Sequence, residues 1–228
     1  MFKKEQRVIR YDSREKNLPH FDKAINHIPK WWKDGNTYIP DHGPFENRAM
    51  KLCVPFLEAI TFGYVIPTPC DIMVQVVDNK IKLLWPDMPF KIDKRDSSWN
   101  PTLPVPSGHY PDQYTWGANT VIELPKGYSA LYTHPLNRHD LPFTTLSGVV
   151  DLDITLSSGQ LPFYLKKGFE GLIPQGTPFV QILPFKRENW ISETDNTLYD
   201  KSIEANNNSL SVLSGWYKKN RWHRKTFE

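Results

Sequence analysis

The sequence predicts a mainly β, single-domain protein whose core is a β-sandwich or a compact, barrel-like array of short strands. Three observations support this prediction. The chain has 228 residues, enough to bury one substantial core. Its 20 prolines and its 13% of aromatic residues favour short extended segments over long helices. Apolar and polar residues alternate in the second half of residues 72–85, as in a strand with one buried face.

Residues 1–50 are predicted to form an irregular arm that packs on the body. Four prolines, at positions 19, 29, 40 and 44, limit any helix there to one or two turns. Trp31 and Trp32 are adjacent, and such aromatic pairs anchor a segment to a surface. We therefore expect these two side chains to bind the body or a partner.

Residues 51–190 are predicted to form the β core. It begins with one short helix at residues 54–62, where Pro55 suits the first turn and Gly63 is placed to end the helix. We expect this helix to cover one side of a sheet.

A β-hairpin is predicted next, with strands at residues 72–77 and 80–85. Asp78 and Asn79 join them, and both residue types tolerate the positive φ of a two-residue turn. Residues 86–115 are rich in proline and are predicted to form a long loop. Further strands are expected at residues 115–124, 129–134, 144–153, 159–165, 171–173 and 179–185.

Residues 191–228 are predicted to form a polar linker followed by a basic C-terminal helix. Residues 192–208 are polar and contain three consecutive asparagines, and apolar residues recur at helical spacing after position 209. The net charge of the chain is +3. Positions 216–228 carry five basic residues and one acid, so the rest of the chain is close to −1. The basic residues are Lys218, Lys219, Arg221, Arg224 and Lys225.

The sequence contains no apolar run of about 18 residues that could span a bilayer, and no apolar segment near the start suited to a secretory signal. We therefore expect a soluble, intracellular protein with no membrane partner. Cys53 and Cys70 do not form a C-x-x-C pair and are expected to be reduced, buried thiols.

Residues 121–187 resemble the core of the dUTPase and dCTP deaminase superfamily. Residues 125–128, Pro-Lys-Gly-Tyr, resemble the turn before that family's second motif. Residues 148–153, Gly-Val-Val-Asp-Leu-Asp, are similar to the third motif, and residues 176–181, Gly-Thr-Pro-Phe-Val-Gln, to the fourth. The resemblance covers under a third of the chain and implies a β-clip-like fold whose subunits form trimers.

The resemblance also implies site residues. Asp151 occupies the position of the aspartate that activates the hydrolytic water, and Gln181 that of a glutamine that helps to hold the site. The chain departs from the family elsewhere: Ile154 replaces the tyrosine that packs under the sugar, and the segment at Thr133 and His134 lacks the Ser-Gly pair that contacts phosphate. These departures weigh against a nucleotide hydrolase.

A second resemblance is to uncharacterised proteins encoded by tailed phages of marine and cyanobacterial hosts. It implies a viral origin and a virion component or infection accessory, without a defined activity, located in the host cytoplasm during infection or in the virion. The four blocks that carry it are residues 29–32, 51–56, 135–138 and 184–190.

Several residues have chemical interpretations of their own. Asp151 and Asp153 are expected on one face of a strand, where they could share a metal or a proton, or could form a solvent-facing edge. Asn137 and Arg138, near Tyr128 in sequence, could bind a phosphate or a base, because a guanidinium matches phosphate geometry. The alternative is an arginine that hydrogen-bonds loop carbonyls.

Histidines and the C-terminal tail leave further alternatives open. His109, His134 and His139 with nearby Asp112 or Asp140 could form a two-histidine, one-carboxylate iron site, although loop histidines usually make surface hydrogen bonds. In the tail, aromatic rings alternate with basic residues, which fits either packing on a partner or binding of nucleic acid. The residues concerned are Trp216, Lys218, Lys219, Arg221, Trp222 and Arg224.

Two functional hypotheses follow. The first is a non-enzymatic phage protein that forms homo-oligomers and contacts other phage proteins. The second is a nucleotide-binding or nucleotide-hydrolysing enzyme, with Asp151 and Asp153 catalytic and with Tyr128, Asn137, Arg138 and Gln181 on the nucleotide. No metal site or cofactor is predicted for the first hypothesis, whereas the second would require Mg²⁺.

Overall fold

The computed structural model describes residues 7–39, 49–78, 80–96, 98, 101–156, 159–210 and 216–227. The chain divides into two compact units, Met1–Arg187 and Glu188–Glu228. The strands of the described residues all lie in the first unit, and the second contains helices.

The first unit contains fourteen strands and two short α-helices among its described residues. In chain order they are β1 (Arg10–Ser13), β2 (Asp22–Lys23), α1 (Lys30–Asp34), α2 (Val54–Thr61), β3 (Tyr64–Pro67), β4 (Ile72–Val77), β5 (Lys80–Leu84), β6 (Ile92–Lys94), β7 (His109–Gly117), β8 (Thr120–Glu123), β9 (Tyr128–Thr133), β10 (Phe143–Thr145), β11 (Gly148–Val150), β12 (Gln160–Lys166), β13 (Gly171–Ile173) and β14 (Pro178–Lys186). Two 3-10 turns, Ala24–His27 and Met50–Leu52, precede α1 and α2 respectively.

The strands form antiparallel sheets. The largest has the order β11-β9-β14-β3-β2, and a four-stranded sheet has the order β10-β12-β7-β6. A three-stranded sheet, β13-β4-β5, and the pair β1-β8 complete the unit. The prediction of a mainly β fold is confirmed.

An aromatic cluster joins the two larger sheets. Trp116 of β7 is fully buried and stacks on Phe163 of β12, with ring centroids 3.8 Å apart and planes 10° apart. Phe143 of β10 meets the edge of the same indole at 5.1 Å. Phe179 of β14 also lies 5.1 Å from it, and thereby brings the five-stranded sheet against the four-stranded one. Such ring pairs contribute about 0.5–1.5 kcal/mol each beyond their buried area.

Two local predictions are confirmed. The short helix is α2, with Pro55 in its first turn and Gly63 just beyond its end. The hairpin is formed by β4 and β5, which pair from Val77 with Lys80 onwards. Asp78 has the positive φ that the turn requires, 49°, while Asn79 lies outside the described residues.

Other elements differ from the sequence prediction because distant pairing decides them. Residues 86–115 are not a continuous loop: β6 forms there, and β7 begins at His109, since the two strands pair with each other and β7 also pairs with β12. The strand predicted at residues 144–153 is instead two short strands, β10 and β11, which belong to different sheets. Between them, the Leu146 amide donates to the Pro162 carbonyl at 2.7 Å.

The N-terminal arm is more regular than predicted. It supplies β1, which pairs with β8, and β2, which pairs with β3, so its backbone hydrogen bonds are made within the sheets. Trp32 is buried and stacks on Phe56 of α2 at 5.4 Å, whereas Trp31 is 41% exposed. Residues 1–6 and 40–48 of the arm lie outside the described residues.

The second unit contains two helices, α3 (Leu198–Leu210) and α4 (Trp216–Asn220). Helix α3 occupies most of the segment predicted as a linker. A turn formed by local hydrogen bonds leads into the helix: the Asp195 carboxylate accepts a hydrogen bond from the Thr197 amide at 2.8 Å, and the Asp195 carbonyl accepts one from the Leu198 amide at 3.2 Å. The predicted C-terminal helix is reduced to α4, and residues 211–215 lie outside the described residues.

Across the described ranges, every helix is too short or too polar to traverse a lipid bilayer. Cys53 and Cys70 are both free thiols, as expected, but only Cys70 of the two is buried, and Cys53 is partly exposed.

Gly63 is the glycine on which the packing of α2 depends. Its φ is +74°, and a Cβ atom there would lie 2.4 Å from the Ile182 carbonyl oxygen. Gly63→Ala should therefore lower the free energy of unfolding by about 2–4 kcal/mol, from backbone strain and from the clash together. Chemical denaturation measures this loss.

Gly108 provides the matched control. Its φ is +75°, yet a Cβ atom there would meet nothing within 4 Å. Gly108→Ala should lower stability by only about 1 kcal/mol, the strain contribution alone. Equal losses in the two variants would show that the close approach to Ile182 is not a constraint.

Candidate functional site

A cluster of charged side chains surrounds Arg187, one residue beyond β14. The Arg187 guanidinium donates through Nη1 to Asp153 Oδ1 at 2.8 Å and through Nη2 to Asp153 Oδ2 at 2.5 Å. Nη1 also lies 3.2 Å from Asp151 Oδ1 and donates to Ser129 Oγ at 3.0 Å. We call these four residues, Arg187, Asp151, Asp153 and Ser129, the Arg187 cluster.

Three neighbouring strands bring the cluster together. The last residue of β14, Lys186, pairs with Tyr128 at the start of β9, so Arg187 follows opposite Gly127 and donates its backbone amide to the Gly127 carbonyl at 2.9 Å. On the other side of β9, strand β11 pairs Val150 with Ala130, which places Asp151 beside Ser129. The Ser129 hydroxyl donates to Asp151 Oδ1 at 2.5 Å.

The expectation that Asp151 and Asp153 share one face of a strand is wrong. Strand β11 ends at Val150, and the chain turns through residues 152–154, where the Ile154 and Thr155 amides donate to the Asp151 carbonyl. The two carboxylates still come close, but it is Arg187 that brings them together. Their side chains differ in exposure: 52% for Asp151 and 3% for Asp153.

The Arg187 cluster holds Asp153 strongly in its charged form. Hydrogen bonds from the Arg187 guanidinium and from the Gly127 amide lower the pKa of Asp153 to about 2. In return, the hydrogen bond to Asp153 raises the pKa of Arg187 above its usual value. A carboxylate with so low a pKa is a weak proton acceptor, so Asp153 is poorly suited to general-base catalysis.

The second group of predicted residues lies around the turn at residues 135–138. Asn137 has a positive φ of 60°, and the Arg138 amide donates to the Pro135 carbonyl at 3.1 Å. The Arg138 guanidinium binds Asp140 through Nε and Nη2, both at 2.9 Å. Burial works to raise the pKa of Asp140, but hydrogen bonds from Arg138 outweigh it, and the pKa lies below its usual value.

Gln181 of β14 holds the turn at residues 135–138 in place. Its side chain is fully buried, and Oε1 accepts a hydrogen bond from the Leu136 amide at 2.8 Å. Its Nε2 donates to the carbonyls of Ala59 and Phe62 at the end of α2, at 3.0 and 2.6 Å. These contacts make Gln181 a positioning residue for the turn that carries Arg138.

Arg138 borders a cavity of about 340 Å³. Only 11% of its side chain is exposed, and Nη1, the nitrogen not used by Asp140, has a long contact of 3.5 Å with the His27 carbonyl. The rest of the lining is largely apolar and includes Ile28, Pro29, Leu141, Phe169, Leu172 and Pro178. The cavity therefore offers one partly engaged cation in apolar surroundings.

The predicted nucleotide-binding residues thus belong to two different groups of contacts. Tyr128 belongs with the Arg187 cluster, since its carbonyl accepts from Arg187 Nη1 at 3.2 Å. Asn137, Arg138 and Gln181 belong to the turn at 135–138. Whether any of them binds a nucleotide stays a prediction.

The histidines make hydrogen bonds to the protein. His109 bonds the Ser107 carbonyl and the Thr144 hydroxyl, both at 2.9 Å, and His134 bonds the Arg138 carbonyl at 3.0 Å. Burial lowers the pKa of His134 to about 4. Within the described part of the chain, no three side chains of the metal-ligating types His, Cys, Asp and Glu are grouped closely enough to hold an ion.

Of the predicted partner-binding residues, Trp31 hydrogen-bonds to Asp140 through its side chain, and so links α1 to the turn at 135–138. The tail residues Lys218, Lys219, Arg221 and Arg224 are exposed and Trp222 is half-buried, while the side chain of Trp216 lies outside the described ones. Partner binding by these residues stays a prediction.

Sequence reasoning missed Arg187, Ser129 and Asp140 as members of these sites. Arg187 could have been found by pairing residues 178–186 with 128–133, because that register places it next to Gly127 and the third-motif aspartates. Asp140 follows Arg138 by two residues, a spacing too common to be informative by itself.

Comparison with known proteins adds little. No protein-family model matches the chain, and no curated protein matches it. Among solved structures, the chain is similar to the native dUTPase of EIAV, with 15% sequence identity, a TM-score of 0.31, and coverage of 59% of this chain and 83% of that chain. At this TM-score the likeness supports no argument about fold or activity.

The low pKa of Asp153 predicts that the protein loses stability as the pH becomes acidic. We call this decline the acid limb of the stability profile. The pKa is about 2 in the folded protein against an ordinary value of 3.8, so the unfolded chain takes up the proton first as the pH falls. The free energy of unfolding should decline between about pH 4 and pH 2 on account of this group and be independent of it at neutral pH. Denaturation at a series of pH values measures the decline.

Asp153→Asn should flatten that limb, because the replaced side chain does not titrate. Asp87→Asn is the control, since the Asp87 side chain is fully exposed and lies 3.4 Å from the Lys91 ammonium; it should change the acid limb less than Asp153→Asn does. An acid limb of the same slope in Asp153→Asn and in the wild type would contradict the assignment of the low pKa to Asp153.

Proposed function

We propose that the protein is a non-enzymatic phage protein, virion-associated or accessory to infection, that acts through contacts between its subunits and with partner proteins. The observation that carries this proposal is the Arg187 cluster. Its guanidinium engages both of the carboxylates that an enzymatic site would need, Asp151 and Asp153. The viral part of the proposal is supported by the resemblance of four sequence blocks to phage proteins.

The geometry supports a structural role for the Arg187 cluster. Both oxygens of Asp153 accept hydrogen bonds, Oδ1 from Arg187 and Oδ2 from Arg187 and the Gly127 amide. Asp151 Oδ1 is taken by Ser129 and Arg187. The cluster thereby ties together the ends of β9, β11 and β14. Such a network fixes the positions of strand ends and leaves few of its polar atoms to contact a substrate.

An apolar patch next to the cluster is the surface we assign to subunit contact. Directly paired residues point to the same face of a sheet, and Val149, Leu131 and Leu183 are paired across β11, β9 and β14. Phe185, two residues beyond Leu183, lies on that face as well. We call these four residues the outer patch.

The outer patch is the part of this face that α2 leaves open. The end of α2 covers the neighbouring part, where Gln181 bonds its carbonyls and the Leu183 side chain lies close to Gly63. Beyond it, Val149 is 63% exposed and Phe185 is 41% exposed. Exposed apolar side chains grouped on one sheet face are typical of a contact surface.

We assign the outer patch to a second copy of this chain. Strand β11, which carries Val149, is an edge strand, so both its outer backbone and its apolar side chain are available for pairing with a copy. An exposed edge strand that is not protected tends to pair with another chain, and an identical chain offers the same edge.

Val149→Asp should disrupt this assembly, because a charge would be buried in the contact. In sedimentation equilibrium, the wild type is expected to have a mass of at least twice that of the 26.6 kDa chain. The variant should dissociate about tenfold or more readily. Val77→Asp is the control: Val77 is 51% exposed but lies on β4 of a different sheet, and its variant should assemble like the wild type. A wild type that stays monomeric at every concentration reached would overturn the assembly proposal.

A nucleotide-hydrolysing enzyme is the second candidate, and two observations favour it. Asp151 is half exposed, and within the described residues the structure shows no hydrogen bond to its Oδ2. Arg138 borders a cavity of about 340 Å³. The donor set does not fit a magnesium ion, however, because the Arg187 cation already pairs with both carboxylates and would repel a metal placed between them.

A panel of deoxynucleoside triphosphates with Mg²⁺ distinguishes the two candidates. We expect no turnover and no rise in melting temperature with any nucleotide of the panel. Turnover that is lost in Asp151→Asn, with the melting temperature of that variant otherwise unchanged, would establish the enzymatic candidate instead. Arg138→Gln would then be expected to raise KM, if Arg138 binds the phosphates.

A further inference from the structure

The basic tail, residues 216–227, is a charged surface that the proposed function leaves without a role. Its five cations, Lys218, Lys219, Arg221, Arg224 and Lys225, are all exposed. Their combined charge of +5 contrasts with the remainder of the chain, which is −2 because the whole chain is +3. A dense positive segment on an otherwise neutral protein attracts a polyanion by releasing its condensed counterions.

The conformation of the basic tail argues against docking as an amphipathic helix. Helix α4 is only five residues long, Trp216–Asn220, and residues 222–227 have no regular structure. Helix-in-groove recognition needs apolar anchors over at least two turns. Here two of the five cations, Arg224 and Lys225, lie in the irregular part. An irregular cationic segment can instead follow the backbone of a flexible polyanion.

Aromatic side chains stand among the cations of the basic tail. Tyr217 is 44% exposed, and the Lys218 ammonium lies 5.8 Å from the centroid of the Trp222 ring. Rings beside cations are the combination with which proteins bind single strands: bases stack on the rings while the cations contact phosphates. A duplex offers no unstacked base for such rings, so the aromatic residues favour a single strand.

We propose that the basic tail binds single-stranded nucleic acid without sequence preference. The five cations contact the phosphates, and Tyr217 and Trp222 stack on bases. This proposal is independent of subunit assembly through the outer patch, because the tail belongs to the second compact unit and the outer patch to the first.

Fluorescence anisotropy of the full chain with a labelled oligothymidylate tests the proposal. The logarithm of the association constant should fall linearly with the logarithm of salt concentration, with a slope of about −3.5 if all five cations contact phosphates. That slope corresponds to a loss of about 100-fold in affinity between about 50 and 200 mM salt. A slope shallower than about −1, or duplex bound as tightly as the single strand, would overturn the proposal.

A charge-removing variant of the basic tail and a matched control locate the site. Replacing Lys218, Lys219, Arg224 and Lys225 by glutamine should reduce the slope to about −0.7, the contribution of one remaining cation. The control replaces four exposed lysines of the first unit, Lys80, Lys82, Lys126 and Lys167, by glutamine, so the net charge falls equally. The control should bind like the wild type; equal weakening of both proteins would show general charge attraction and overturn the assignment to the tail.

Trp222→Leu separates stacking from charge. It keeps every cation, so the slope against salt should stay the same, while the affinity falls about 5- to 150-fold, as expected for one lost stacking contact. Unchanged affinity would remove Trp222 from the site. Binding to vesicles of phosphatidylserine and phosphatidylcholine in the absence of oligonucleotide binding would assign the tail to an anionic lipid surface and refute the proposal.

Discussion

The fold of the first unit depends on a buried amide that has to be satisfied. Gln181 lies in the middle of β14 with no exposure, and an unpaired amide in that position would cost about 1–3 kcal/mol for each unsatisfied group. Its three hydrogen bonds reach the end of α2 on one side and the turn at residues 135–138 on the other. The same side chain therefore determines where α2 covers the sheet and where Arg138 is held.

The covering helix in turn divides the sheet face into two parts. Near Gln181 the face is closed by α2, and the close approach at Gly63 keeps the helix end against β14. Farther along, Val149 and Phe185 are left exposed, and the Arg187 cluster ends the strands beyond them. This apolar surface, bounded by carboxylates that are already paired with an arginine, is the basis of our proposal that the face makes a contact between proteins.

The two compact units carry different physical properties. The first carries the net charge of +3 and contains the hydrogen-bonded networks around Gln181 and Arg187, whereas the second is neutral overall and ends in exposed cations and rings. Assembly through one and binding of an anionic polymer through the other are compatible, and an oligomer would present several basic tails at once. Multiple weak contacts in one assembly raise the overall affinity without any new contact.

The sequence by itself determined the elements that local chemistry controls. Alternation of side chains identified the β4-β5 hairpin, and Pro55 with Gly63 identified α2, because turn and cap preferences act over a few residues. Tertiary structure decided the rest. Strands β6, β10 and β11 are three residues long, and each exists because a distant strand pairs with it. The N-terminal arm, predicted to be irregular, contributes β1 and β2 to two sheets for the same reason. The sequence likewise identified Asp151 and Asp153, but only the register between β9 and β14 places Arg187 between them, since a contact across 34 residues leaves no local pattern.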